Sequence, residues 1–160
     1  MKAVYAGSFD PFTFGHLSIV KDALEFFDKI IIVCSINSTK KPNFSRTDMV
    51  DAIEKIFKNL GFNSDEVQVI RSDKLIVNIC EEYNASHIVR GLRNPNDYLY
   101  EEEIAKFNHR MNPNIKTVYF RAEDECISSS AVRELFFRGL DISEFVPKEI
   151  IEAMNLTSGK

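Results

Sequence analysis

Apolar positions along this chain switch repeatedly between two periods. Residues 3–6 form a short apolar run that stops at Gly7, and Lys29–Ser35 (KIIIVCS) is β-branched and almost wholly apolar. The second run predicts a strand buried on both faces, because a strand with one wet face alternates instead. Residues 67–71, 87–89 and Lys116–Arg121 read as three further strands. Between them, apolar residues fall at helical spacing. Val20, Ala23, Leu24 and Phe27 mark one face after Gly15. Met49, Val50, Ile53, Phe57 and Leu60 mark another, which starts near Ser45 and stops at Gly61. Leu75, Ile76, Ile79, Cys80 and Tyr83 mark a third. Residues 97–110 and 130–137 read as helices, and Pro147 opens a last one through Met154.

Strand–helix alternation of this kind predicts an α/β fold, a doubly wound, Rossmann-like parallel sheet covered by helices on both faces. No repeat or low-complexity linker interrupts residues 1–160, which read as a single domain. Ligands of such folds bind beyond the carboxyl ends of the strands, where the strand order reverses. The unusual residue strings of this chain cluster where strands end.

Composition narrows the function. A length of 160 residues allows one sizeable core, and 44% hydrophobic with 28% charged residues is ordinary for a soluble globule. The net charge of −4 argues against a nonspecific nucleic-acid binder, which carries a basic face. No apolar run approaches the roughly 18 residues that a membrane span needs, and the first residues lead into a motif rather than a signal core. Cys34, Cys80 and Cys126 form no C-x-x-C pair and read as buried free thiols of a reducing cytosol, so a cytoplasmic location is expected.

Two strings carry chemistry. The first is Gly7-Ser8-Phe9-Asp10-Pro11-Phe12-Thr13-Phe14-Gly15-His16, between the first strand and first helix. Gly7 permits close backbone approach, Ser8 and Thr13 offer hydroxyls, and His16 falls in a first helical turn, where free N–H groups and the helix dipole favour an anion. The second is Ile127-Ser128-Ser129-Ser130, where serines at a helix start either cap it or form a phosphate nest.

Together these strings resemble the nucleotidylyltransferase superfamily, through Thr-x-Gly-His near one end and Ile-Ser-Ser-Ser near the other. Within it the chain is similar to the bacterial pantetheine-phosphate adenylyltransferases over almost its whole length. Ser38-Thr39-Lys40-Lys41-Pro42 and Arg90-Gly91-Leu92-Arg93, with Asp97, Tyr100 and Glu101 behind, carry that closer likeness. The resemblance implies a five-stranded sheet of the nucleotidylyltransferase type with C-terminal helices. It implies transfer of the adenylyl group of ATP to 4′-phosphopantetheine, giving dephospho-coenzyme A and pyrophosphate. His16, Lys40 and Arg90 are the implied catalytic residues. Ser8, Lys40, Ile76 and Arg90 would bind the acceptor. Ser8, Phe9, His16, Gly91, Leu92, Arg93, Glu101, Ile127, Ser128, Ser129 and Ser130 would bind ATP. Mg²⁺ would come with the nucleotide rather than on a dedicated protein site, and the assembly would be a homohexamer. Rival readings are a relative using nicotinamide mononucleotide or CTP, and a noncatalytic nucleotide-binding module. Ala6, Ser8 and Phe14 depart from the family's usual proline, threonine and asparagine, and Asp124-Glu125-Cys126 replaces a stretch with an aromatic residue among small polar ones.

Overall fold

The computed structural model describes residues 1–122 and 127–159. Five parallel strands form one sheet in the order β3-β2-β1-β4-β5. They are β1 (Lys2–Gly7), β2 (Lys29–Ser35), β3 (Val67–Ser72), β4 (His87–Leu92) and β5 (Lys116–Arg121). Helices α1 (Phe14–Leu24), α2 (Arg46–Asn59), α3 (Ile76–Tyr83) and α4 (Pro95–Met111) alternate with the strands, and α5 (Ser129–Phe137) and α6 (Lys148–Ser158) follow. The chain builds outward from β1 through β2 to β3, then returns to lay β4 against the other side of β1. The strand order therefore reverses between β1 and β4, and their carboxyl ends flank a crevice there.

The doubly apolar strands divide between two cores. Ala3, Tyr5, Ile30, Ile32 and Cys34 face the larger one, beneath α1, α2, α5 and α6. The intervening Val4, Ile31 and Val33 face a smaller one with Val77, Ile79 and Cys80 of α3. Helix starts are fixed by side chains: the Ser45, Asn94 and Ser128 oxygens accept from the backbone N–H three residues on, at 3.1–3.2 Å. Each satisfies one otherwise orphaned donor of its first turn.

The sequence reading departs from the structure mainly at element ends. β4 continues past Val89 through Arg90, Gly91 and Leu92, because β5 supplies a ladder partner for each. Leu75 and Leu60 are an exposed N-cap and an exposed C-cap rather than core positions. Phe27 lies beyond the end of α1 yet is buried. The fourth helix begins two residues earlier than its apolar pattern, at Pro95, whose fixed φ suits a first helical position. Cys34 and Cys80 are free and buried. Cys126 lies outside the described residues, as do Asp124 and Glu125.

Candidate active site

The crevice between β1 and β4 opens into a cavity of about 410 Å³. Its walls bring together Ser8, Phe9, His16, Gly91, Arg93, Glu101, Arg90 and the Ile127–Ser130 segment, residues from both ends of the chain. A second cavity of about 280 Å³ adjoins it, and Ala6, Gly7, Arg90 and Glu101 line both. Ile76, Ile88 and Ile104 give this second space apolar walls.

The loop from Gly7 to Thr13 is held by its own residues and its neighbours. Buried Asp10 accepts from the backbone N–H of Asn43 at 3.0 Å, the side-chain amide of Asn43 at 2.8 Å and the backbone N–H of Phe44 at 3.0 Å. Arg133 donates to the Asp10 carbonyl at 2.6 Å, and Arg46 donates to the Ser8 carbonyl. Phe9 occupies the left-handed region at φ 42°, which turns its ring inward under Gly7. A Cβ at Gly7 would stand 2.9 Å from that ring, so the close approach requires glycine.

His16 is the third residue of α1 and closes a reciprocal cap. Its backbone N–H donates to the Thr13 hydroxyl, while its ring Nδ1 accepts from the Thr13 backbone N–H at 2.9 Å. A backbone N–H can only donate, so Nδ1 carries no proton, and the neutral ring holds its proton on Nε2. Rings of Phe9 and Phe12 pack on the imidazole with centroids at 5.0 and 5.4 Å. Desolvation, helped by the positive charge of Arg93, pushes the pKa of His16 down to about 4. The residue is thus a neutral donor at pH 7.

The cationic side is organised in pairs. Arg90 donates from Nε and Nη2 to the two carboxylate oxygens of Glu101, both at 2.6 Å, and from Nη1 to the Ala6 carbonyl at 2.8 Å. Burial disfavours the Arg90 charge, but the Glu101 hydrogen bonds and charge outweigh it and raise its pKa. Arg93 is held by Asp97 through its side chain at 3.1 Å and through its backbone N–H at 2.9 Å. Burial, with a smaller contribution from the Glu101 carboxylate, raises the pKa of Tyr5 against the opposing charges of Arg90 and Arg93, so its hydroxyl keeps its proton. Two hydroxyls of the serine string are engaged: Ser128 accepts from Ala131 N–H, and Ser129 donates to the Pro11 carbonyl at 2.9 Å. Ser130 is exposed on the cavity wall.

Three expected residues lie outside the first cavity. Lys40 is exposed in the turn after β2 and lies outside both cavities. Leu92, the last residue of β4, lines a separate surface hollow with Tyr98 and Tyr119 and not the first cavity. Ile76 lines only the second cavity. Arg133, Tyr5 and Ile19 line the first cavity without having been singled out in the sequence. A lone arginine on a helix carries little signal, although its place three residues after the last serine of the string could have marked it.

A crevice at the switch point of a parallel 3-2-1-4-5 sheet, with a capped histidine, paired arginines and a serine-opened helix, defines a nucleotidylyltransferase-type protein. The cytidylyltransferase-like family model matches residues 4–135. The chain is 39% identical to the phosphopantetheine adenylyltransferase of Lactobacillus johnsonii over 96% of its own length and 92% of the relative's. It is 37% identical to that of Pelagibacter ubique, over 95% and 94%. It also superposes on a Vibrio parahaemolyticus protein provisionally named a nicotinate-nucleotide adenylyltransferase. The TM-score there is 0.70 at 20% identity, covering 99% of this chain and 93% of that one, a likeness of fold. The chain belongs to the phosphopantetheine adenylyltransferase family.

Proposed function

We propose that the protein transfers the adenylyl group of ATP to 4′-phosphopantetheine, releasing pyrophosphate and forming dephospho-coenzyme A. The observation that carries this reading is the position of Arg90 on the wall common to the two cavities. An acceptor with a phosphate at one end and a long, weakly polar arm fits that division, with the arm along Ile76, Ile88 and Ile104 and the phosphate at Arg90.

In this reaction an oxygen of the acceptor phosphate bonds to the α-phosphorus of ATP, and the bond from that phosphorus to the bridging oxygen breaks. The electron pair leaves with pyrophosphate. A phosphate monoester is already largely ionised at pH 7, with a second pKa of about 6, so no strong general base is required. The protein's task is to bring two anions into line and to stabilise the crowded transition state. Nε2–H of His16 donates to an α-phosphate oxygen. Arg93, Arg133 and the Ser128–Ser130 turn hold the triphosphate, and Ser8, Phe9, Gly91 and Ile127 line its place. Lys40 joins the acceptor phosphate only if the turn after β2 folds inward. Among the described residues no three His, Cys, Asp or Glu side chains cluster as a metal site needs. Mg²⁺ would come with the triphosphate and offset charge on the departing pyrophosphate.

A homohexamer in the cytoplasm completes the proposal. Exposed Leu99, Tyr100, Phe107 and Met111 on α4 support burial against another copy. No helix among the described residues is long and apolar enough to cross a membrane.

Pyrophosphate release tests the reaction directly. ATP with 4′-phosphopantetheine is expected to be at least about 100-fold more efficient than CTP with the same acceptor, or ATP with nicotinamide mononucleotide. Comparable rates with CTP, or preference for nicotinamide mononucleotide, would overturn the reading.

A further inference from the structure

We propose that Glu101 is a positioning residue that acts through Arg90, whose guanidinium it orients. The inference rests on the adenylyl-transfer reading above.

Glu101 is 8% exposed, on the inward face of α4. Both of its carboxylate oxygens lie 2.6 Å from Arg90 nitrogens, a bidentate, charge-assisted pair. The Nη1 bond to the Ala6 carbonyl at 2.8 Å ties the same guanidinium to β1. One plane is therefore fixed from two elements, across the wall shared by both cavities. A guanidinium has five N–H donors. Three are engaged here, which leaves one on each Nη for a ligand.

This arrangement changes what Arg90 offers. Paired with Glu101 it is nearly neutral as a unit, so its hold on a phosphate depends on direction more than on charge. An unrestrained arginine would lose much rotamer freedom on binding, and Glu101 removes that freedom beforehand. Replacing the carboxylate with an amide would leave the site more positive and worse aligned. Anion binding should then persist while in-line geometry suffers, which lowers kcat rather than raising KM. A residue contacting ATP directly would behave differently, because its loss would appear in the KM for ATP.

The experiment is a double-mutant cycle with Glu101→Gln and Arg90→Ala, read by pyrophosphate release with ATP and 4′-phosphopantetheine, with thermal melting to confirm folding. Glu101→Gln is expected to lower kcat roughly 10- to 100-fold and leave the KM for ATP within about twofold. In the Arg90→Ala background the same change should cost less than about twofold, because the group it orients is gone. Glu101→Asp keeps the charge but shortens the reach, and should recover part of the rate; it also serves if the Gln variant fails to fold. Multiplying losses, a raised KM for ATP, or a wild-type kcat in Glu101→Gln would each overturn the inference while the reaction stood. A wild-type protein that releases no pyrophosphate would overturn the reaction and this inference together.

Discussion

The Nδ1 atom of His16 accepts from the backbone N–H of Thr13 at 2.9 Å, and the backbone of His16 donates in return to the Thr13 hydroxyl. This reciprocal cap does two things at once. It satisfies donors at the start of α1, and it commits the ring to the tautomer that presents Nε2–H. The aromatic packing around the ring then keeps it neutral, with a pKa near 4 against the usual 6.5.

A pH dependence of stability follows. Between about pH 4 and 6.5 the unfolded chain binds a proton at His16 that the folded protein does not. Stability at this site therefore rises with pH through that window and falls as the solution is acidified from 6.5 toward 4. Urea melts at several pH values should show this slope in the wild type and a shallower one in His16→Asn, where the lowered pKa of His87 still contributes. In the same variant, turnover at pH 7.5 should drop at least about 100-fold, roughly 2.7 kcal/mol of transition-state stabilisation, since the α-phosphate loses its donor. A folded variant with near-wild-type turnover would remove His16 from the chemistry.

Arg90 and Lys40 separate two ways of holding the acceptor. Arg90 stands on the wall of both cavities, whereas Lys40 is exposed on a turn outside them. Arg90→Ala should weaken 4′-phosphopantetheine binding by about 10- to 100-fold, the worth of a charged hydrogen bond, with little change in ATP affinity. Lys40→Ala should show its effect only if the turn closes over the ligand. Calorimetry with each ligand alone measures both. Collapse of ATP affinity in Arg90→Ala would reverse the subsite assignment.

The legible parts of the fold were those where pattern and burial agree. The KIIIVCS run of β2 reads as doubly buried, and its five central residues are buried. Arg90-Gly91-Leu92 did not read as strand, because a charge and a glycine suppress strand propensity, and only pairing with β5 overrides it. The Gly7–His16 and Ile127–Ser130 strings were legible as loop-to-helix junctions, and the fold brings both to one cavity. Pairings were not. Nothing local links Glu101 to Arg90, or Arg133 to the Asp10 carbonyl, since each pair joins groups set together only by the tertiary fold. The back-bond of His16 also hid in the sequence, because a capping box is ordinarily recognised by Glu or Gln at that third position.

Asp10 shows how the first loop is held in shape. Its carboxylate is 6% exposed and accepts three hydrogen bonds from Asn43 and Phe44, tying the loop after β1 to the start of α2. Asp10→Ala would leave those donors without their acceptor. The expected cost is on the order of 3 kcal/mol in unfolding free energy, measured by denaturant titration. A loss below about 1 kcal/mol would mean that water replaces the carboxylate freely.

Gly7 links packing to chemistry, and its substitution tests that link. It is the last residue of β1, and an added Cβ would lie 2.9 Å from Cε1 and 3.0 Å from Cζ of the Phe9 ring. Those distances are shorter than carbon atoms tolerate, so something must move. The β1 backbone cannot readily move, because β2 pairs with it as far as Gly7. The Phe9 ring cannot simply swing away either, because Tyr5, Phe12 and His16 surround it, with centroids at 5.3, 5.4 and 5.0 Å. A displaced ring therefore presses on the imidazole and strains its bond to Thr13. Gly7→Ala should fold with a modest loss of stability, about 1–3 kcal/mol for an overpacked site. Its turnover should fall further than that of a comparably destabilised variant remote from the cavity, such as Ile56→Val in the core under α2. The comparison is made at a temperature where both are fully folded, with kcat and KM for each substrate. Because the disturbance reaches His16 and not Arg90, the deficit should appear in kcat while the KM for 4′-phosphopantetheine stays within about threefold. Equal kcat values for the two variants would show that the Phe9 ring absorbs the methyl without disturbing His16, and that this glycine serves the strand end alone.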